Sequence, residues 1–379
     1  MANTDRIALY VGAVAALLVI VFAGTYLYIK RIGATPVVGD VATTTTQLKD
    51  LTPLIPQALV QSMRTGQYQA AVDEYERIMQ KPDASSDEKA LALINVAGAR
   101  FNITGNADAW IQDIQALKSV VADPSVVIRT RAAALSTLEV AYNYSGRNPA
   151  VFAEIYKDGP TKQYLVPNNP DLSAINIGEA SYALRPASLS AIYTAQLYAA
   201  QYFLNPNQAA TTTALYATRA ADYLDKAAQA VQREASVTED FEQSSRYFSY
   251  MQWKAITQGY LAVEKGDPYT DLFRDSFKQF FEFAATRTNP STGDSLFFTR
   301  FQYARILAAL KDVSGEKEQL SLLASELNAM PQGEVSVFVA FLKNERAYRP
   351  NDATWKTITN MFSLVPDFQQ AVLSRIGTK

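Results

Sequence analysis

The feature that most constrains this chain is a run of uncharged, mostly apolar residues beside its N-terminus, Ile7–Ile29. A helix of this length would measure roughly 34 Å at about 1.5 Å per residue, enough to cross a hydrocarbon core of about 30 Å. Such a helix also satisfies its own backbone hydrogen bonds, as a bilayer requires. Arg6 precedes the run, and Lys30 and Arg31 follow it. We therefore predict a transmembrane helix over residues 7–29 after a short tail over residues 1–6, with the lipid bilayer as the first partner.

The run has one further interpretation, a cleaved signal peptide, and as an anchor it has one further possible role, helix pairing. A cleaved signal peptide would use Val21-Phe22-Ala23 as its small-residue site, but the apolar run continues past that site and is long for a signal peptide. Gly12 and Ala16 form a pair of small residues that would let two helices approach closely. The sequence therefore favours an uncleaved single-pass anchor and leaves homo-oligomerisation through it open.

The chain contains neither His nor Cys, and both absences exclude chemistry. Without His there is no Ser-His-Asp or Cys-His catalysis, and the commonest general base and metal ligand are missing. Without Cys there are no disulfides, thiolate zinc sites or iron–sulfur clusters. The glycine-rich phosphate-binding patterns GxxxxGK[ST] and GxGxxG do not occur either. We therefore predict a protein that is not an enzyme, with no catalytic residue, cofactor or metal.

Beyond the anchor, the signals are those of an all-α protein. Ser85–Glu88 and Ser236–Glu239 match the capping box that opens helices, and apolar residues recur at helical spacing with no convincing alternating strand. The segment from Ser295 to Asp312 carries apolar residues on two sides, as a helix with neighbours on both sides requires. The net charge of −2 without a block of like charge gives no reason to expect a nucleic-acid partner.

Turn residues divide the chain into segments. Residues 30–52 are Thr-rich and predicted to be a juxtamembrane linker. Residues 53–160 are predicted to form helical repeats, and residues 187–379 a further helical array. Between them, residues 161–186 are predicted to be an irregular insertion, because Pro167, Pro170 and Pro186 interrupt a continuous helix.

One stretch resembles a tetratricopeptide repeat in the spacing of its glycine, aromatic, alanine and proline residues: Gly66, Tyr68, Ala71, Tyr75, Ile78 and Pro82. Gly105 and Gly146 repeat the turn at intervals of 39 and 41 residues, longer than the roughly 34 of a standard repeat. The resemblance implies an α-α hairpin superhelix, a TPR-like solenoid, in which glycine and alanine let paired helices approach. It also implies a concave face that binds a peptide, a protein or an envelope component.

Two functional hypotheses follow. The first is a membrane-anchored, non-enzymatic interaction scaffold, with a set of tyrosines as candidate contacts for a protein or peptide partner: Tyr142, Tyr144, Tyr164, Tyr182, Tyr193, Tyr198 and Tyr202. The alternative is a carbohydrate-binding or carboxylate-based glycan-active helical protein, which would use two acidic groups: Asp73, Glu74 and Glu76, and Glu239, Asp240 and Glu242.

Sequence signals conflict about the side of the membrane on which the large domain lies. Lys30 and Arg31 outnumber Arg6, which by the positive-inside rule places the domain in the cytoplasm. The avoidance of Cys and the Thr-rich spacer favour the opposite side, and long domains translocate largely regardless of flanking charge. We predict an extracytoplasmic domain of a bacterial cell envelope.

Overall fold

The computed structural model describes residues 62, 67–104, 107–145, 148–157, 159–204, 210–237, 240–287, 291–331, 336–348 and 353–377. These lie in a compact unit that extends from Pro53 to Lys379. The predicted anchor Ile7–Ile29 and the linker belong to the other unit, Met1–Thr52, and lie outside the described residues. Among the described helices, none combines the length and the apolar character that a membrane span needs.

The described residues are helical and contain no strand, which confirms the predicted all-α class. We number the α-helices in chain order: α1 (Tyr68–Gln80), α2 (Ser86–Thr104), α3 (Ile111–Ala122), α4 (Ile128–Ser145), α5 (Pro149–Ile155), α6 (Pro170–Leu184), α7 (Ser188–Leu204), α8 (Ala210–Ala235), α9 (Ser245–Lys265), α10 (Tyr269–Ala285), α11 (Ser291–Ala309), α12 (Val313–Ala329), α13 (Val337–Tyr348), α14 (Ala353–Leu364) and α15 (Pro366–Ile376).

Most helices pack as consecutive pairs: α1 with α2, α3 with α4, α7 with α8, α9 with α10, and α11 with α12. One member of each pair also contacts a member of the next pair. These contacts link α2, α4, α6, α7, α9, α11 and α13, in that order, into what we call the central row. Helix α11 contributes Ile306 and Leu307 to one hydrophobic core and Phe301 and Ala304 to another, as its two-sided apolar pattern predicted.

Helix α6 changes the phase of this pairing. Before it, the central row contains the second helix of each pair; after it, the row contains the first. This helix lies within residues 161–186, which were predicted to be irregular. Pro170 begins the helix, where no backbone N–H is needed, and the side chain of Asn169 accepts a hydrogen bond from the N–H of Leu172 at 3.0 Å. Pro170, which was predicted to interrupt a helix, thus begins one.

Two glycines allow helices of the central row to approach closely. At Gly178 of α6, a Cβ atom would overlap Oε1 of Glu139 on α4 and would lie 2.6 Å from Cδ of the same residue. At Gly259 of α9, a Cβ would overlap the end of the Ile306 side chain on α11. The two helix crossings therefore require the absence of a side chain rather than a special backbone conformation.

The predicted capping boxes have different outcomes. Ser85 caps α2 as predicted, since its hydroxyl accepts a hydrogen bond from the N–H of Glu88 at 3.1 Å. The second box, Ser236–Glu239, does not open the next helix. Helix α9 begins at Ser245 instead, and the hydroxyl of Ser244 accepts from the N–H of Tyr247 at 3.2 Å.

Cationic side chains close several helix ends by donating to backbone carbonyls. The buried ammonium of Lys118 donates to the carbonyls of Glu154, Ile155 and Lys157 at 3.1, 2.9 and 3.0 Å, at the end of α5. Arg131 donates to the carbonyl of Val121 near the end of α3 at 2.8 Å. The last carbonyls of a helix lack partners within the helix and carry partial negative charge, so these cations stabilise the ends.

Candidate functional site

The seven tyrosines predicted to contact a partner lie in different environments. Tyr142 and Tyr198 are buried, and Tyr164, Tyr182 and Tyr193 are half-buried. The side chains of Tyr144 and Tyr202 are not among those that the structure describes. Among those described, the half-buried group retains surface that a partner can reach.

The two buried tyrosines bond to groups inside the domain. The hydroxyl of Tyr142 lies 3.3 Å from the hydroxyl of Thr161, and burial raises the pKa of Tyr142 to about 12. Tyr198 donates to Oε1 of Glu179 at 2.7 Å, and burial raises its pKa as well. Tyr198 therefore connects α7 to α6, and Tyr142 connects α4 to the segment between α5 and α6.

The residues of the repeat-like spacing are only partly described. Gly66, Gly105 and Gly146 lie outside the described residues. Ala71 is fully buried, and Tyr68 packs against the same core. Tyr75 packs under the guanidinium of Arg100, 5.2 Å from the ring centre, and Arg100 pairs with Asp113 at 2.6 Å. Tyr75 thus packs against Arg100 of α2, and Ala71 belongs to the hydrophobic core.

The acidic groups considered for glycan chemistry are engaged in local pairs or lie at the surface. Glu74 pairs with Arg77 at 2.6 Å, and the hydrogen bond from Arg77 lowers the pKa of Glu74. Asp73 accepts a hydrogen bond from Gln69 at 2.9 Å. Glu239 lies outside the described residues, while Asp240 and Glu242 are exposed. The part of the chain that the structure describes holds no cluster of three or more potential metal ligands.

Aromatic side chains from four successive helices of the central row contact one another in series. Tyr193 of α7 lies 6.0 Å from Trp253 of α9, and Trp253 lies 5.6 Å from Phe298 of α11, between ring centres. Phe298 in turn lies 6.0 Å from Phe341 of α13. All three contacts are edge-to-face, a favourable geometry for aromatic pairs. We call these four residues the aromatic ladder; its first three members are half-buried and Phe341 is buried.

Arg129 and Arg246 lie close enough to Arg185 for their charges to act on it, and we call these three arginines the basic cluster. The hydroxyl of Ser181 on α6 lies 2.9 Å from that of Ser136 on α4 and donates to the carbonyl of Ala132 at 2.9 Å. This antiparallel register places Arg185, one turn beyond Ser181, beside Arg129. Burial and the positive charges of Arg246 and Arg129 lower the pKa of Arg185.

A carboxylate close to Arg185 is already engaged. Glu234, near the end of α8, accepts from the N–H of Ser188 at 2.8 Å and from its hydroxyl at 2.7 Å. It therefore caps the start of α7, where a carboxylate is favoured by the helix dipole. Among the described residues, the guanidinium groups of the basic cluster have no ion pair or hydrogen bond. Asp87 likewise accepts a hydrogen bond from the N–H of Val127 at 3.2 Å, at the start of α4. The three positive charges of the cluster therefore lie near two carboxylates that already cap helix starts.

Glu139 is the most strongly perturbed acid of the described part. Its side chain is fully buried on α4, and burial raises its pKa well above the ordinary value. Oε1 accepts a hydrogen bond from the hydroxyl of Thr194 at 3.0 Å, while Oε2 has no hydrogen-bond partner among the described residues. The space for this carboxyl group exists because residue 178 is glycine. Burial therefore favours the protonated, neutral form of Glu139 in the folded protein.

Trp253, Glu139 and the basic cluster were not among the residues predicted from the sequence. A signal was present for Glu139, since it is a single acid in an apolar stretch, and for the arginines, since Arg129 and Arg246 lie in first turns where acids are usual. Comparison with family models, with curated proteins and with solved structures gives no match to this chain.

Proposed function

We propose that this protein is a membrane-anchored, non-enzymatic interaction scaffold that holds a peptide or protein partner against the central row. Ile7–Ile29 is the tether in this proposal, and the helical domain is a TPR-like superhelix. Consecutive pairing of helices, together with contacts from each pair to the next, supports such an array. The extracytoplasmic side of a bacterial envelope is the proposed location.

The observation that carries this proposal is the aromatic ladder. Tyr193, Trp253 and Phe298 come from three successive helices of the row and are half-buried, so each is held by packing and still has surface exposed to solvent. Aromatic side chains that are already ordered contribute a large contact area at little cost in conformational entropy. A line of them across several helices suits an extended segment of a partner better than a small molecule.

Photo-crosslinking in the cells that naturally produce the protein tests the proposal. The full-length chain carries p-benzoylphenylalanine in place of Tyr193, and a control chain carries it in place of Leu272, an exposed residue of α10 outside the central row. We expect a discrete protein adduct from position 193 and none of the same mass from position 272. Equal adducts from both positions, or none from position 193, would contradict the proposal.

The proposed location has its own test. The chain has no native Cys, so the variant Thr45→Cys offers a single thiol in the linker. A membrane-impermeant maleimide should label this thiol in intact cells if the domain is extracytoplasmic. Labelling only after the cells are lysed would place the domain in the cytoplasm.

A further inference from the structure

We propose that the basic cluster binds a segment of the protein partner that is rich in aspartate and glutamate, while apolar side chains of the same segment lie on the aromatic ladder. This inference rests on the proposed function, because the ladder is the contact surface assumed there. It adds the chemical class of the partner and the residues that select it: Arg129, Arg185 and Arg246.

Two of these arginines occupy unusual positions on their helices. Arg129 is the second residue of α4, and Arg246 is the second residue of α9. The first turns of these two helices contain no acidic residue. A helix N-terminus carries partial positive charge, so a cation there is unfavourable unless an anion is nearby. Asp87 offsets part of this cost at α4, because its carboxylate accepts from the N–H of Val127 at 3.2 Å. The remaining electrostatic cost, above all at Arg246, is one that an anionic partner would relieve.

Other cations at helix ends are used differently. Arg131 donates to the carbonyl of Val121, and Arg287 donates to the carbonyls of Gln243 and Glu242 at 2.8 and 2.6 Å. Those guanidinium groups have a structural role within the domain. The guanidinium groups of the basic cluster do not cap a helix end in this way. In natural proteins, residues that break such local rules concentrate at functional sites.

The basic cluster is also accessible and lies near the aromatic ladder. Arg246 is exposed, and Arg129 and Arg185 are half-buried, so all three retain surface. Guanidinium groups form two parallel hydrogen bonds with a carboxylate, which favours acidic side chains over a neutral segment. Arg246 precedes Trp253 by two helical turns, about 10 Å along the same face of α9. An extended segment advances about 3.3 Å per residue, so acidic and apolar positions roughly three residues apart would match both surfaces.

The test measures peptide binding to the purified full-length chain in neutral detergent. The probe is a fluorescein-labelled peptide, Glu-Asp-Glu-Gly-Ser-Phe-Leu, and the matched probe carries Gln and Asn in place of the acids. We expect the acidic probe to bind at least tenfold more tightly. In the variant Arg185→Gln/Arg246→Gln this preference should disappear, whereas Lys278→Gln, at an exposed position of α10, should retain it.

Several outcomes would overturn the assignment. Equal affinity for the two probes would show that the cluster does not recognise acidic side chains. An unchanged preference for the acidic probe in the double arginine variant would show the same. Tight binding of phosphatidylglycerol vesicles that depends on the same arginines, with no preference between the probes, would identify a lipid site instead. If the adduct at position 193 persists in the double variant with unchanged yield, the scaffold stands and this inference fails. If no adduct forms at all, the proposed function itself fails.

Discussion

The buried carboxyl group of Glu139 should make the stability of the domain depend on pH, and the substitution Glu139→Gln isolates this contribution. Burial raises the pKa of Glu139 in the folded chain, whereas in the unfolded chain we expect a value of about 4.3. Between these two values the folded state keeps a proton that the unfolded state has lost. The contribution of Glu139 to the free energy of unfolding is therefore highest below about pH 4.3, and it falls as the pH rises towards the folded pKa.

The size of the effect follows from proton linkage. Each pH unit between the unfolded and the folded pKa lowers the free energy of unfolding by about 1.4 kcal/mol. In the Glu139→Gln variant, the amide keeps an oxygen that can accept from the hydroxyl of Thr194, which lies 3.0 Å from Oε1 of the native side chain, and the amide cannot ionise. The variant and the wild type should therefore be similar in stability near pH 4, and the variant should be increasingly more stable at higher pH.

Urea denaturation of residues 53–379, followed by circular dichroism from about pH 4 to about pH 8, measures this difference. Glu74→Gln is the control with the opposite sign, because Arg77 lowers the pKa of Glu74 in the folded state. That variant should lose stability above about pH 4.3, by less than about 0.5 kcal/mol, since the pair lies at the surface. A difference between Glu139→Gln and wild type that stays constant over the whole range would refute the reasoning.

Four further predictions test the packing and the charges. Gly178→Ala should lower stability by about 1–3 kcal/mol in thermal denaturation, because the added carbon overlaps a buried carboxyl oxygen; a rise in Tm would contradict this. Gly259→Ala should cost a similar amount, about 1–3 kcal/mol. A double-mutant cycle should show that Ile306→Val, which removes the overlapping atom, relieves most of this cost. Lys118→Met leaves three carbonyls without their donor and should cost about 2–4 kcal/mol in calorimetry, whereas no loss would show that water replaces the ammonium. Arg246→Gln should raise the stability of the free protein by up to about 1 kcal/mol in urea denaturation, and a loss would reveal an internal partner.

The helical class was predictable because its signals are local. The cap at Ser85 involves residues three positions apart, so the sequence alone displays it, and the structure confirms it. The prolines of residues 161–186 were harder, since a proline either interrupts a helix or begins one. Pro170 begins α6 because Asn169 caps the helix, and α6 packs against both α4 and α7. That packing is a tertiary property which the local pattern does not contain.

Exposure of individual tyrosines was beyond the reach of the sequence for the same reason. Tyr142 and Tyr193 both lie in apolar helical stretches, yet one is fully buried and the other is half-buried in the ladder. The difference depends on which helices pack on either side. The environment of Glu139 likewise requires Gly178 and Thr194, which are 39 and 55 residues further along the chain.

The charges at helix ends show why the basic cluster stands apart within the described residues. Lys118 and Arg375 both donate to carbonyls at helix ends, Arg375 to those of Leu327 and Pro331 at 2.9 Å each, so these cations stabilise the fold. Glu234 stabilises the start of α7 by the opposite arrangement, an anion at an N-terminus. Arg129 and Arg246 have the sign that the dipole disfavours at their positions. Asp87 offsets this at the start of α4, where it accepts from the N–H of Val127, so the start of α9 carries most of the cost. An acidic partner is the compensation that fits the geometry of the basic cluster.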